Sequence, residues 1–178
     1  EFLFEYRRDS TDIIKFNEAW FYVADSTVFE MFNFPLTEGD PATALDRPSC
    51  VVLSESTARR YFGNESAMGK TLLIEEGLPV EVTGVMKDLP VQSHFNIDIL
   101  GSMSTFRATN GGQLPQTWIW NPCWTYFELH DHITQEQLEA QLPDFHQRQY
   151  ADFKDQKIEL YMQPIADIHL QSHHDYEM

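Results

Sequence analysis

Hydrophobic and polar positions alternate from the first residues of the chain. In "FLFEYRR", residues 2–8, Phe2, Phe4 and Tyr6 fall on one side and Leu3, Glu5 and Arg7 on the other. A period of two predicts a strand. "DSTD", residues 9–12, is a turn cluster. "IIKFNEAWFYVA", residues 13–24, alternates again and puts Ile14, Phe16, Trp20 and Tyr22 on one side. The two runs predict a hairpin. Asp25 is placed to cap a short helix over "STVFEMFN", because a carboxylate there accepts from the free amides of the first turn.

Residues 34–49 are broken by Pro35, Gly39, Pro41 and Pro48 and read as loop. "CVVL" is a short buried strand. Ser54 caps a helix over "ESTARRYF", which Gly63 ends in a left-handed position. "KTLLIEE" and "PVEVTGVMK" form a hairpin around "EGLP", and "NIDIL" is a further strand. After a loop at residues 108–116, "CWTYFELH" reads as a long strand. Thr134 and Gln137 form a capping box for a helix that carries Leu138, Leu142, Phe145 and Phe153 on one face and is kinked at Pro143. "KIELYMQPI" closes the pattern as a strand. Hairpins mixed with a few helices predict an α+β fold. Its best-marked internal boundary lies near Gly111 and Gly112.

Charge narrows the range of partners. The 178 residues carry 12 Lys and Arg against 28 Asp and Glu, a net charge of −16. Such a surface repels phosphate backbones and anionic headgroups, which argues against nucleic acid and against polybasic membrane docking. No apolar run approaches the ~20 residues that span a bilayer. The start "EFLFEYRRDS" has neither a basic leader nor a cleavage site. An excised piece of a longer protein is therefore expected. Cys50 and Cys123 fit no metal or redox spacing, and sequence alone does not decide whether they pair.

Candidate chemistry is sparse. Gly69-Lys70-Thr71 ends a run that looks like a nucleotide-binding phosphate loop. Gly63 and Gly69, however, are separated by five residues, "NESAM", where that loop needs four. The order is also inverted: a helix precedes and a strand pattern follows, so Lys70 points away from any helix N-terminus. His169, His173 and His174 cluster near the end, and His130 and His132 share parity, yet neither set has a helical frame that would make a metal site. Ser93, His94 and Asp98 lie close in sequence, but adjacent side chains diverge on an extended backbone and no nucleophile elbow is present. Trp118, Trp120, Trp124 and Tyr126 share one parity. They read as a core-facing strand, with an aromatic ligand groove as the alternative. No catalytic, cofactor-binding or metal-binding residue is assigned.

Three stretches follow one another in the middle of the chain: "VADSTVFEMFNFPLTEGDPATAL", "CVVLSESTARRYFGNESAMGKTL" and "VEVTGVMKDLPVQSHFNIDIL". In that order they resemble the extracytoplasmic core domain of MacB/FtsX-type ABC transporter permeases. The matching positions are Asp25, Phe29, Phe32, Phe34, Leu36, Gly39, Leu53, Ala58, Phe62, Gly63, Gly69, Lys70, Gly84, Val85, Asp88 and Pro90. The resemblance implies a two-lobed periplasmic domain. A porter-like β-α-β lobe would comprise residues 1–23 and 118–178, and a mixed sabre-like lobe, residues 24–117, would be inserted into it.

The resemblance further implies a non-enzymatic domain cut from between two membrane spans, in the periplasm and attached to the inner membrane. Its expected partners are a second copy of the permease, a separate cytoplasmic ATPase and a periplasmic accessory or cargo protein. It would carry ATP-driven movement outward for export, lipoprotein extraction or signalling. Two other classes are weighed against this: a periplasmic metal-dependent hydrolase built on His94 or the late histidines, and a small-molecule or peptide binding module built on the tryptophans.

Overall fold

The computed structural model describes residues 1–75, 77–114, 123–153 and 158–168. Contacts divide the chain into two compact units, the first Glu1–Leu114 and the second within Pro115–Glu177.

The first unit is built on one eight-stranded mixed sheet. Its strands are β1 (Phe2–Arg7), β2 (Ile13–Glu18), β3 (Phe21–Ala24), β4 (Leu36–Gly39), β5 (Cys50–Ser54), β6 (Thr71–Ile74), β7 (Leu78–Met86) and β8 (Ile99–Ser102). They lie in the order β2-β1-β6-β7-β5-β8-β3, with β4 pairing onto β7. Helices α1 (Val28–Phe32), α2 (Glu55–Phe62) and α3 (Met103–Thr109) complete the unit.

The strand order has a geometric consequence. β2 and β3 occupy opposite ends of the sheet, yet only Ala19 and Trp20 separate them in the chain. The sheet must therefore roll until its two ends meet at that linker. The rings agree: Phe21 on β3 lies edge-on to Phe2 and Phe4 on β1, each at 5.1 Å between centroids. The linker also resets parity. Trp20, on one side with Ile14 and Phe16 in the sequence alternation, is 44% exposed, and Phe21 packs against the core. The Trp20 carbonyl accepts from the Asp98 and Ile99 amides at 2.9 and 3.2 Å, which fixes the bend against β8.

Inside the roll, Phe4, Val51, Leu53, Tyr61, Phe62, Leu72, Val82 and Ile99 form a continuous buried cluster. β5 is buried along its whole length. It pairs parallel to β7 and antiparallel to β8, so both of its edges are satisfied. That explains why "CVVL" reads as an uninterrupted apolar run rather than an alternating one.

Several local expectations hold. β1 and β2 form the hairpin in antiparallel register, Phe4 opposite Phe16, and Asp9 accepts from the Thr11 and Asp12 amides at its tip. Ser54 caps α2, accepting from the Thr57 amide at 3.2 Å. Gly63 ends α2 at φ +65°, its N–H donating to the Arg59 carbonyl. β6 and β7 form the second hairpin.

Others are corrected. α1 has Thr27 at its N-cap and no side-chain cap; Asp25 supplies its main-chain carbonyl to the Val28 amide. The segment read as loop contains β4, which β7 recruits along its second half. "NIDIL" begins its strand at Ile99, where pairing with Phe21 on β3 and Leu53 on β5 starts.

The regular elements described in the second unit are helical. Helix α4 (Gln135–Glu139) carries the capping box: the Gln137 amide donates to Thr134 Oγ1, and the Thr134 amide donates to the Gln137 side chain. The expected single helix stops at Glu139 and restarts as α5 (Leu142–Gln149), where Pro143 occupies the first turn instead of kinking an interior. Proline is tolerated there because first-turn amides have no intrahelical partner. Residues 123–130 and 158–164, expected as strands, form none. A short 3-10 turn follows at Ile165–Asp167.

Candidate functional site

The most organised polar arrangement lies where the rolled sheet meets its own end. Glu18, the last residue of β2, is 2% exposed. Its Oε1 accepts from the Tyr61 hydroxyl at 2.7 Å and its Oε2 from Arg60 Nη2 at 2.5 Å. Arg60 also reaches Thr57 Oγ1 at 3.3 Å and lies 5.1 Å over the Phe16 ring. Thr57 in turn bonds Ser54 at 2.9 Å and Asp98 at 3.5 Å. A buried carboxylate costs little only when its lone pairs are filled by charged or strong donors, and both Glu18 oxygens are. Burial, reinforced by the bond to Glu18, raises the Tyr61 hydroxyl well above the ordinary tyrosine value. The cluster thus holds a neutral phenol against a carboxylate, with Arg60 as counter-charge. It ties β2 to α2 and has the makings of a structural clasp.

This clasp was legible in principle. Glu18 shares the parity of Ile14 and Phe16, so an acid stood on the core-facing side of an amphipathic strand. Such an acid demands a buried donor. The second buried acid, Glu5, is satisfied inside the hairpin by Arg7 and by Lys15, its direct cross-strand neighbour. Lys15 first, then Arg7, holds the Glu5 carboxyl below the usual range.

The phosphate-loop look-alike is structural. α2 precedes it and β6 follows it. The Gly69 amide donates to the Val82 carbonyl, and the Val82 amide to the Lys70 carbonyl, both at 2.8 Å, so the backbone here extends the ladder along β7. The Lys70 ammonium pairs with Glu65 and lies 4.8 Å over the Phe62 ring. Lys70 is committed to a carboxylate and an aromatic face.

The other candidates do not converge. Ser93 Oγ accepts from the Phe95 amide at 3.1 Å, and Asp98 is turned to Thr57. His94 is buried, its ring 3.8 Å from that of Phe95. Phe95 in turn lies edge-on to Phe32 and Phe34, so His94 belongs to an aromatic packing group. The His130 and His132 rings stack at 5.7 Å in an open groove with Glu128 and Asp131. Among the described residues, no group of three or more His, Cys, Asp or Glu is placed to hold a metal. Trp124 is 43% exposed, against the expectation of a core-facing strand. Trp118, Trp120, His169, His173 and His174 lie outside the described residues. Cys50 and Cys123 are free thiols; burial raises the Cys50 thiol, while Cys123 is exposed.

A shallow cleft of about 310 Å³ beside β4 is lined by Asp40, Thr43, Arg47 and Glu81 among others. Arg47 and Glu81 pair with each other across it at 3.2 Å. No described helix is long and apolar enough to cross a membrane.

This mixed-sheet fold has counterparts among solved structures. It is similar to the periplasmic region of MacB from Actinobacillus actinomycetemcomitans, with a TM-score of 0.57 and 19% identity over 84% of this chain and 63% of that one. It is similar as well to a domain of a protein described as a permease from Porphyromonas gingivalis, with a TM-score of 0.56 and 21% identity over 83% and 68%. The chain belongs to the MacB-like periplasmic core domain family, whose model matches residues 4–145. None of the curated proteins matches it.

Proposed function

We propose that this chain is the non-catalytic extracytoplasmic domain of a MacB/FtsX-type ABC transporter permease. It moves as a stiff body when a separate cytoplasmic ATPase drives the membrane helices, and so transmits that movement for export, lipoprotein extraction or signalling. The family match over residues 4–145 carries the reading. Its physical support is the rolled sheet of the first unit, in which the candidate reactive side chains are used for packing, capping and ion pairing. Stiffness is what force transmission requires, and packed cores supply it because they are bistable rather than continuously deformable.

The working partners in this reading are a second copy of the permease and an accessory or cargo protein in the periplasm. In this reading residues 1–23 and 118–178 form the porter-like lobe and residues 24–117 the inserted sabre-like lobe, with β1 and β3 hydrogen-bonded to β6 and β8 of the insert.

Two measurements test the proposal. A Val91→Cys variant of the full-length parent protein, in a Cys123→Ser background, is expected to react with a membrane-impermeant maleimide from the periplasmic face. Val91 is 95% exposed, whereas Cys50 is buried with a raised thiol pKa and reacts slowly. Labelling only from the cytoplasmic face would end the reading. Equilibrium dialysis of the chain against ATP is expected to show no binding; tight binding would reopen the Gly69-Lys70-Thr71 site.

A further inference from the structure

We propose that the first unit opens locally along the line where its rolled sheet meets itself, and that Glu18 is the latch on that seam. β2 and β3 sit at opposite ends of the strand order, and no ladder between them is present among the described residues. Interior strands such as β5 and β7 are held by backbone bonds on both edges. The seam is instead held by side chains. Phe21 packs on Phe2 and Phe4, and Glu18 reaches Arg60 and Tyr61 on α2. The Trp20 carbonyl, one residue before β3, takes the Asp98 and Ile99 amides and so continues the β3–β8 ladder up to the seam.

The two buried acids of the hairpin differ in a telling way. Glu5 is paired within the hairpin, by Arg7 and Lys15, so it stays satisfied whether or not the seam is closed. Glu18 is paired only outward in the bonds described, to α2, which packs on β5 and β7. Opening the seam therefore strands a carboxylate that closure buries with two strong donors. Proteins open locally where stability is lowest, and this seam has no backbone ladder across it among the described residues. This inference rests on the first unit alone and stands or falls independently of the permease reading.

Site-resolved amide hydrogen exchange on the full 178-residue chain tests it. In Glu18→Gln, the Asp98 and Ile99 amides, whose acceptor is the Trp20 carbonyl in the linker between β2 and β3, are expected to exchange about tenfold faster as that linker is freed. The Leu72 and Val82 amides, inside the β6–β7 hairpin and its ladder, are expected to keep their rates. Arg60→Gln, at a half-exposed position, gives the same pattern at smaller amplitude and decides the matter should Glu18→Gln not fold. Unchanged exchange at Asp98 and Ile99 would overturn the proposal. So would equal acceleration at Leu72 and Val82, which would mark Glu18 as a general stabiliser and not a latch.

Discussion

The two units of this chain use similar sequence patterns with opposite results. In Glu1–Leu114 the alternating run "FLFEYRR" becomes β1, because β2 on one edge and β6 on the other take its backbone groups. In the second unit the equally regular "CWTYFELH" forms no strand. Alternation states which side chains could share a face. It does not provide the neighbouring strand whose N–H and C=O groups make extension favourable. Strand formation is a property of a pair, whereas a capping box is complete within four residues. Thr134 and Gln137 were accordingly readable in the sequence and appear as read.

The contrast extends to burial. Leu53 on β5 is fully buried, while α4 and α5 contain no buried residue. Leu53→Ala should cost about 3 kcal/mol, read as a shift in the denaturant midpoint. Leu138→Ala on α4 should cost about 1 kcal/mol or less. Equal costs would erase the distinction between the units.

Next in size is Gly39→Ala. Gly39 has φ +94°, and a Cβ there would lie 2.5 Å from the Thr83 carbonyl oxygen and 2.9 Å from Gly84 Cα. Both obstacles are backbone, so neither can swing aside. About 2–3 kcal/mol of destabilisation is expected by chemical denaturation. The glycine was visible in the sequence as part of the family pattern. Its reason, the close approach of β4 to β7, was not, because the segment was read as loop.

Tyr61→Phe should cost about 2 kcal/mol by removing a donor from a buried carboxylate. It should also change the pH dependence. The Tyr61 hydroxyl titrates above its ordinary value in the folded state, so its neutral form stabilises the fold below about pH 10, and that contribution is lost as pH rises beyond. Thermal melts of the parent chain should therefore fall between about pH 10 and 11 more steeply than those of Tyr61→Phe. Parallel curves would remove the buried clasp from the account. Comparable to Leu138→Ala in size, Thr134→Ala should cost about 1 kcal/mol, confined to helicity of the second unit.

The fold class, the two hairpins, the caps at Ser54 and Thr134 and the stop at Gly63 were all legible locally. The roll of the sheet was not. It depends on a two-residue bend at Ala19 and Trp20 that lies inside one smooth alternation, and on pairing between segments 78 residues apart, β3 with β8. Non-local pairing of this kind leaves no mark in a sequence window. The clasp was half legible, as an acid on an apolar parity. Its donors on α2 became evident only with the roll in place.

The permease reading requires the first unit to behave as a stiff body that moves. Paired spin labels on the membrane-embedded full-length protein, in a Cys123→Ser background, measure both properties. A label at Val91→Cys in each of two copies reports movement between domains, and labels at Leu78→Cys and Val91→Cys within one copy report stiffness. With ATP and vanadate, the distance between copies is expected to shift while the distance within the unit stays unchanged. A fixed distance between copies, or an internal distance that changes as much, would contradict the account.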